Sequence, residues 1–312
     1  MARLANKPVV GAGFASGQEV LRFFGAYGWL GLAGIGVVTL LFFSFGYSVL
    51  LFGYRLQAHS PVEVVRFTNG KILGFVIDLI ITVFLFGALS AMIAGAGAIV
   101  EEQFGVPALW GTIAMTVITL LTVIAGTRGV VNAISGVAPF LLLSVLFLSV
   151  YSLAVNPVLE SEVRLAETLP GATPGWLLSA VNYASYNMVI AVAVLTPMGA
   201  RAKNRKDIFW SAFLGALGLG VGILAIYLCL LTNMTEIFEM EVPMVEIASN
   251  ISKLIQYGFT VILFAEVYTT AVGNLYGFVR RVPLKVPKIW LILIPAFLAF
   301  LIAQLGFSNM VR

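Results

Sequence analysis

The residues best suited to chemistry lie in the first long apolar stretch of the sequence, where polar groups interrupt a hydrophobic run. Residues 11–19 read GAGFASGQE and contain three glycines, a serine, a glutamine and a glutamate. A glycine costs a helix about 1 kcal/mol relative to alanine, and a charged side chain within a membrane is also unfavourable. We predict that this segment leaves the helix and lines a cavity holding water or a ligand. A close helix contact at Gly13 and Gly17 is the alternative, but it does not explain the polar residues.

A second polar cluster interrupts the sixth apolar stretch. Residues 182–187 read NYASYN and lie between the apolar residues 176–178 and the apolar run 188–195. We predict a second helix break here, in a span that crosses the membrane in the opposite direction to the first. Interrupted spans of opposite direction are typical of an inverted repeat with the substrate site where the breaks meet. A purely structural kink is the alternative.

Broken helices offer two kinds of ligand. The N–H groups at a half-helix end attract an anionic group such as a carboxylate. The freed carbonyl oxygens coordinate a cation such as Na⁺. We therefore expect a small solute that carries both charges to fit between the two breaks.

The eighth apolar stretch contains a carboxyl group, Glu266, followed by Thr269 and Thr270. Spacings of three and four residues place all three side chains on one helix face. Oxygen atoms of this kind bind Na⁺, and a carboxyl group within the membrane is also suited to carrying a proton. Pairing of Glu266 with a buried base is the alternative interpretation.

Two other charged sites in the apolar stretches are open to a gating or a structural interpretation. Arg22 follows Glu19 by three residues, so the two side chains can form an outer gate or a plain local salt bridge. Asp78 lies about two turns after Lys71, near enough to the predicted cytoplasmic edge for hydration to explain it.

No combination of residues indicates an enzyme. The single histidine has no cysteine or second histidine near it, so we expect no metal site built on such ligands. The glycine-rich segments follow no strand and lack the Gly-Lys-Ser/Thr of a phosphate-binding loop. No nucleophile–base pair is evident. We expect no catalytic residues and no cofactor, apart from a sodium ion if one couples transport.

The elements that position these residues are predicted to be membrane-spanning helices. The 312 residues are 60% hydrophobic and 10% charged, whereas soluble proteins carry about 25% charged residues. Within a bilayer, apolar runs of about 20 residues must satisfy their backbone groups as helices. We predict an all-α, polytopic transmembrane bundle forming one domain over residues 1–312. The nine predicted spans are residues 4–26, 29–54, 72–100, 107–125, 134–155, 176–200, 208–231, 253–279 and 289–307.

The charges between the spans predict the orientation. Most of the 18 Lys and Arg residues fall near the N-terminus or in alternate connections, and the opposite connections are rich in Glu. Because basic residues accumulate on the cytoplasmic side, we expect a multi-pass protein of the cytoplasmic membrane with a cytoplasmic N-terminus. Topology explains the basic residues, so no nucleic-acid partner is expected. The expected partners are the lipid bilayer and a small solute, and the oligomeric state is not predicted.

Several motifs together resemble those of the YkvI-type bacterial membrane proteins. The most distinctive is the opening segment 10–19, VGAGFASGQE. The others, spread over nearly the whole chain, are Phe23-Phe24, Tyr27-Gly28, Ser185-Tyr186-Asn187, Thr269-Thr270, Gly273-Asn274 and the ending 306–309, GFSN. The resemblance implies a bacterial membrane protein related to the amino acid–polyamine–organocation superfamily with the LeuT-type fold.

The LeuT-type fold implies two inverted repeats of five helices, here about residues 1–155 and 176–312, and nine predicted spans leave the second repeat one helix short. In this fold the first and sixth helices hold the substrate, and the first and eighth hold sodium. The implied substrate-binding residues are Gly11, Ala12, Gly13, Phe14, Ala15, Ser16, Ala184, Ser185, Tyr186 and Asn187. The implied ion-coupling residues are Val10, Glu266, Thr269 and Thr270, with the sodium ion at Val10, Thr269 and Thr270.

Two hypotheses for function follow. The first is a secondary active transporter that moves a small amino-acid-like solute across the cytoplasmic membrane by alternating access, coupled to Na⁺ or H⁺. The second is a non-transporting receptor or sensor that binds a small ligand in the same fold. Lys7 stands where sodium sites of this fold usually have a small residue. If its ammonium group approached Glu266, it would replace the cation and remove sodium dependence.

Overall fold

The computed structural model of the chain describes residues 16–58, 60–238, 240, 242–281 and 287–304. Within these ranges the chain forms thirteen α-helices and one short 3-10 helix, Gly25–Tyr27, and no β-strand. The α-helices are α1 (Gln18–Phe23), α2 (Leu30–Leu56), α3 (Pro61–Asn69), α4 (Lys71–Phe104), α5 (Ala108–Ile124), α6 (Gly126–Val155), α7 (Glu160–Glu167), α8 (Trp176–Ala200), α9 (Arg205–Leu231), α10 (Met234–Ile237), α11 (Pro243–Ile251), α12 (Lys253–Arg281) and α13 (Lys288–Ala303).

Eight of these helices coincide with the second to ninth predicted spans. They are α2, α4, α5, α6, α8, α9, α12 and α13. In the described part of the chain, six helices are long and apolar enough to cross a membrane, while α5 and α13 are shorter apolar helices. The predicted count of nine spans is therefore not confirmed, and most of the first predicted span lies outside the described residues. The all-α bundle of apolar helices agrees with the prediction.

The helices α3, α7 and α11 were not predicted, because they are short and contain many polar residues. Each buries part of one face against the bundle, as Val64 and Val65 do in α3. Helix α3 has a clear start signal, since Ser60 Oγ accepts a hydrogen bond from the Val62 N–H at 3.4 Å and Pro61 occupies the first turn.

The helix of the first predicted span is interrupted at Gly17, as the sequence predicts. Gly17 has φ +87°, in the left-handed region, and separates Ser16 from the start of α1. Glycine adopts this conformation without the steric cost that other residues incur. The preceding part of the segment, residues 11–15, lies outside the described residues.

The second predicted break, at residues 182–187, is wrong. Helix α8 runs as an α-helix from Trp176 to Ala200 without interruption. The segment contains no glycine or proline, and its polar side chains bond to their own helix. Ser185 Oγ donates to the Val181 carbonyl at 2.7 Å, and Asn187 Nδ2 donates to the Tyr183 carbonyl at 2.9 Å. Side-chain bonds of this kind leave the helical backbone intact.

Helices α2 and α8 pack closely through small residues. A Cβ atom on Gly53 would clash with the carbonyl oxygen of Thr196, and one on Gly199 would clash with the carbonyl oxygen of Leu50. Small residues let helix backbones approach in this way. Helix α9 packs on α2, while α12 packs on α4 and α6.

The outer surface of the bundle is apolar. Ile72 is 85% exposed, Leu254 is 82% exposed and Leu40 is 67% exposed. An exposed hydrophobic surface of this extent marks a membrane or a protein interface. On helices long enough to cross a bilayer, it agrees with the predicted lipid contact.

Candidate functional site

The candidate site is built around the break at Gly17. A Cβ atom at this position would lie 2.9 Å from Met244 Cγ and 3.2 Å from Leu230 Cδ2, so a larger residue would force these side chains to shift. The next residue, Gln18, donates a hydrogen bond from Nε2 to the Met240 carbonyl oxygen at 2.6 Å. These contacts fix where the chain leaves one helical segment and begins α1.

Glu19 connects α1 to α8. The Tyr186 hydroxyl donates a hydrogen bond to Glu19 Oε2. At the other end of α1, Ser179 Oγ donates to the Phe23 carbonyl oxygen at 2.7 Å. The two bonds hold a helix of only six residues against α8.

Aromatic rings fill the space between α1 and α8. Tyr183, one turn before Tyr186, is 2% exposed. Its ring centroid lies 5.1 Å from that of Phe23, 5.2 Å from that of Phe24 and 5.4 Å from that of Tyr186, all with edge-to-face geometry. This packing places apolar surface beside Glu19, and electrostatic interactions are stronger where water is excluded.

Helix α12 brings a second carboxyl group to this region. Glu266 lies near the middle of α12, and Thr269 Oγ1 donates to its backbone oxygen at 3.0 Å and to its Oε2 at 3.3 Å. Glu266 and Glu19 interact electrostatically with each other, and both interact with Tyr183. We call Glu19, Tyr183, Tyr186, Glu266 and Thr269 the central cluster.

The central cluster contains two carboxyl groups, Glu19 and Glu266. Within the described residues, neither Glu19 nor Glu266 forms an ion pair with a base. Two carboxylates in a medium of low polarity repel each other, and a cation or a proton relieves the repulsion. Lys7, the base that could approach Glu266, lies outside the described residues, so pairing of Glu266 with a base stays an untested alternative.

The structure brings some of the predicted substrate-binding residues to this region and leaves others apart. Tyr186 contacts Glu19, Ser16 is buried at the break and Ala184 is buried in α8. Ser185 is exposed, and the described bond of Asn187 is to its own helix. The predicted site residues Val10, Gly11, Ala12, Gly13, Phe14 and Ala15 lie outside the described residues.

Of the predicted ion-coupling residues, Glu266, Thr269 and Thr270 are described, and they lie together on α12. Thr269 is buried and bonded to Glu266, and Thr270 is half-buried beside it. A sodium ion at this position stays a prediction.

The predicted gate pair, Glu19 and Arg22, lies on α1. Tyr186, rather than Arg22, is the described hydrogen-bond partner of Glu19. The backbone oxygen of Arg22 accepts a hydrogen bond from Ala172 N at 3.0 Å, so the connection between α7 and α8 covers this end of α1. The gating role stays a prediction.

Hydration does not account for Asp78. Its side chain is buried, and Arg281 Nη1 donates a hydrogen bond to Asp78 Oδ1 at 2.6 Å. Arg66 Nε lies 3.7 Å from Asp78 Oδ2. A buried ion pair therefore joins α4 to the C-terminal end of α12, about four helical turns from Glu266.

Two residues of these clusters were missed by the sequence reasoning. Tyr183 lies within the predicted polar segment but was not assigned to the site. Its spacing of three residues from Tyr186 is a usable signal, because it places both rings on one helix face. Arg281 was assigned only to topology, and no local signal connects it with Asp78, which is 203 residues away.

Two cavities lie away from the central cluster. One of about 460 Å³ is lined by residues at the start of α8, including Trp176 and Val181. The other, of about 500 Å³, is an apolar groove between α5 and α13, with Val117 and Phe297 among its lining residues.

Comparisons with known proteins place the chain among bacterial membrane proteins. It is 32% identical over 305 residues to the uncharacterized membrane protein YkvI of Bacillus subtilis strain 168, covering 97% of this chain and 86% of YkvI. It is 24% identical over 305 residues to the uncharacterized protein YyaD of the same organism, covering 97% of this chain and 87% of YyaD. No protein-family model matches the sequence.

Solved structures share the fold at low sequence identity. The crystal structure of MhsT in complex with L-phenylalanine matches with a TM-score of 0.68 and 17% identity, covering 98% of this chain and 80% of MhsT. Two mutants of the Eremococcus coleocola manganese transporter each match with a TM-score of 0.61, at 12% and 13% identity, covering 93% of this chain and 67% of the transporter.

The helical bundle therefore has the LeuT-type fold of membrane transporters, as the motifs predicted. The similarity to YkvI extends along nearly the whole chain. The chain belongs to the YkvI family of membrane proteins.

Proposed function

We propose that this protein is a secondary active transporter that moves a small amino-acid-like solute across the cytoplasmic membrane by alternating access, coupled to Na⁺ or H⁺. The proposal includes a cytoplasmic N-terminus, which is supported by the basic residues of alternate connections. The observation that carries the proposal is the convergence of α1, α8 and α12, which brings Glu19, Tyr186 and Glu266 together beside a helix break.

The two sides of the substrate site contribute different groups. On one side lies the break at Gly17, where an interrupted helix offers backbone N–H and carbonyl groups. Helix α8 is continuous, so it offers side chains instead, chiefly the Tyr186 hydroxyl and the rings around Tyr183. A solute with a charged head and a modest apolar part suits this combination.

An organic solute is favoured over a metal ion as the transported species. The fold neighbours include both MhsT bound to L-phenylalanine and a manganese transporter. Within the described residues, no group of three or more His, Cys, Asp or Glu side chains is arranged to hold a metal ion. Proteins bind divalent cations with several carboxylate, imidazole or thiolate ligands.

Coupling is assigned to the carboxyl groups of the central cluster. A cation that enters beside Glu266 relieves its repulsion with Glu19, and Thr269 supplies a hydroxyl oxygen at the same point. Binding of the cation and of the solute is then linked, because each changes the electrostatic field that the other meets.

The test is uptake by the purified protein in proteoliposomes, with labelled amino acids and amines supplied under a Na⁺ gradient, a proton gradient or neither. We expect accumulation of at least one solute that requires one of the two gradients. Glu266→Gln is expected to abolish the gradient dependence. The matched control is Glu101→Gln, the same change at an exposed residue near the end of α4, and it is expected to transport normally.

Two results would contradict the proposal. The first is an absence of flux across the panel from protein that a ligand stabilises against heat, which would favour a receptor. The second is unchanged ion dependence in Glu266→Gln, which would remove this side chain from coupling.

A further inference from the structure

A buried arginine outside the central cluster uses only part of its hydrogen-bonding capacity. Arg281 lies at the end of α12 with its side chain 0% exposed, and its Nη1 atom bonds to Asp78. Within the described residues, its Nε and Nη2 atoms have no hydrogen-bond partner. These two atoms share one edge of the planar guanidinium group, so their N–H bonds point in nearly parallel directions.

The charge around Arg281 is not balanced by Asp78. Arg66 Nε approaches the same carboxylate at 3.7 Å, so two guanidinium groups meet one carboxylate. A guanidinium group stays protonated in proteins, and a buried charge is unfavourable unless it is paired and hydrogen-bonded. The cluster of Arg66, Asp78 and Arg281 therefore carries one excess positive charge beside an unpaired donor edge.

We propose that the Nε–Nη2 edge of Arg281 is a binding site for a small carboxylate, separate from the central cluster. Two parallel N–H donors match the two oxygen atoms of a carboxylate in a bidentate pair. A structural link between α4 and α12 needs only the Nη1 bond to Asp78, so such a link does not explain the unpaired edge. The site does not depend on the transport activity proposed above.

Other buried polar atoms without a described partner lie on α12 and α8. Asn274 precedes Arg281 by about two turns and is 0% exposed, and in the described structure its two amide atoms lack partners, as does Thr196 Oγ1 on α8. The two helices pack together here, since a Cβ atom on Gly277 would lie 3.1 Å from Ala193 Cβ. Buried polar atoms without protein partners are usually satisfied by water or ligands, so this part of the α8–α12 interface has unused polar groups besides the edge of Arg281.

The experiment uses the full-length protein in detergent with acetate as the probe. Its unfolding temperature is followed as sodium acetate replaces sodium gluconate at constant ionic strength, because gluconate is too bulky for a buried edge. We expect a saturable rise in unfolding temperature with acetate, as a ligand that binds only the folded state produces. Equal unfolding temperatures in the two salts would overturn the proposal.

Substitutions test whether the acetate that raises the unfolding temperature binds at Arg281. Arg281→Lys keeps the positive charge but removes the bidentate edge, so the acetate response should disappear. Arg164→Lys makes the same change at an exposed residue of α7 and should keep the full response. A response that survives in Arg281→Lys would place the acetate elsewhere and overturn the proposal.

Asp78→Asn is a second variant, in which acetate should bind more tightly rather than less. It keeps the proposal testable if Arg281→Lys does not fold. Without the competing carboxylate, Arg281 attracts an anion more strongly, and we expect the half-saturating acetate concentration to fall about tenfold. An unchanged or higher half-saturating concentration would contradict a carboxylate site at Arg281.

Discussion

The Tyr186 hydroxyl donates a hydrogen bond to Glu19 across the interface between α8 and α1. The two residues are 167 positions apart, one just after the break at Gly17 and the other within a continuous helix. The bond therefore holds the short helix α1 in a defined orientation relative to the long helix α8.

Replacing Tyr186 with phenylalanine should show how much the hydrogen bond to Glu19 contributes, apart from the contribution of the packed ring. The variant keeps the aromatic contacts but leaves Glu19 without its donor, so we expect a loss of about 1.5–3 kcal/mol in the free energy of unfolding. We also expect altered ion dependence of uptake, because Glu19 belongs to the central cluster. Thermal unfolding and proteoliposome uptake measure the two effects.

Tyr268→Phe is the matched control. It removes a tyrosine hydroxyl that bonds to Thr122 Oγ1 at 2.6 Å, between α12 and α5. The expected loss is about 1 kcal/mol, with normal ion dependence. Identical ion dependence in Tyr186→Phe and the unaltered protein would show that the bond to Glu19 has no part in coupling.

Gly17→Ala should destabilise the protein and impair transport. The residue has φ +87°, and an added Cβ would lie 2.9 Å from Met244 Cγ. Strain of this kind costs about 1–3 kcal/mol. Gly36→Ala, in the second turn of α2 where an added Cβ has nothing within 4 Å, should instead be neutral or stabilise the protein by up to about 1 kcal/mol. Denaturation of both variants side by side tests the difference, and equal stabilities would contradict the strain at Gly17.

Glu19 and Glu266 should be energetically coupled. Each single change to glutamine relieves the repulsion between the carboxyl groups, so the second change should add less stabilisation than it does alone. A double-mutant cycle on the unfolding free energy should give an interaction of about 0.5–3 kcal/mol. Strict additivity would show that the two carboxyl groups do not sense each other.

Gly53→Ala should weaken the contact between α2 and α8. The added Cβ would clash with a backbone carbonyl oxygen, that of Thr196, which cannot move without shifting α8. Overpacking of this kind costs about 1–3 kcal/mol. Gly46→Ala lies on the same helix and meets nothing within 4 Å, so it should not be destabilising. The difference in thermal unfolding between the two variants is the measurement, and no difference would contradict the close approach.

The positions of the helices follow from local sequence, and the contacts between them do not. The apolar run 29–54 predicted α2, observed at Leu30–Leu56, because the length and hydrophobicity of one segment decide whether it crosses a bilayer. The bond from Tyr186 to Glu19 and the pair of Arg281 with Asp78 depend on how distant helices pack. No local pattern encodes those contacts.

The two predicted breaks show which local signal is informative. At Gly17 a glycine stands among polar residues, and the backbone does leave the helix. At residues 182–187 the polarity is similar but no glycine is present, and Ser185 and Asn187 bond to carbonyl groups of their own helix. Polarity alone overestimates the chance of a break, because an α-helix can satisfy its own polar side chains.

Because α8 is continuous and the first span is interrupted, the two spans that border the candidate site should differ in flexibility. Helix α8 is continuous through residues 182–187 and packs closely on α2 near its C-terminal end, at Gly53 and Gly199, whereas the first span is interrupted at Gly17. Motion that opens or closes the space beside Glu19 should then occur by bending at Gly17, while α8 stays in place. Although the fold has two related repeats, only the repeat that contains Gly17 would then move during opening and closing.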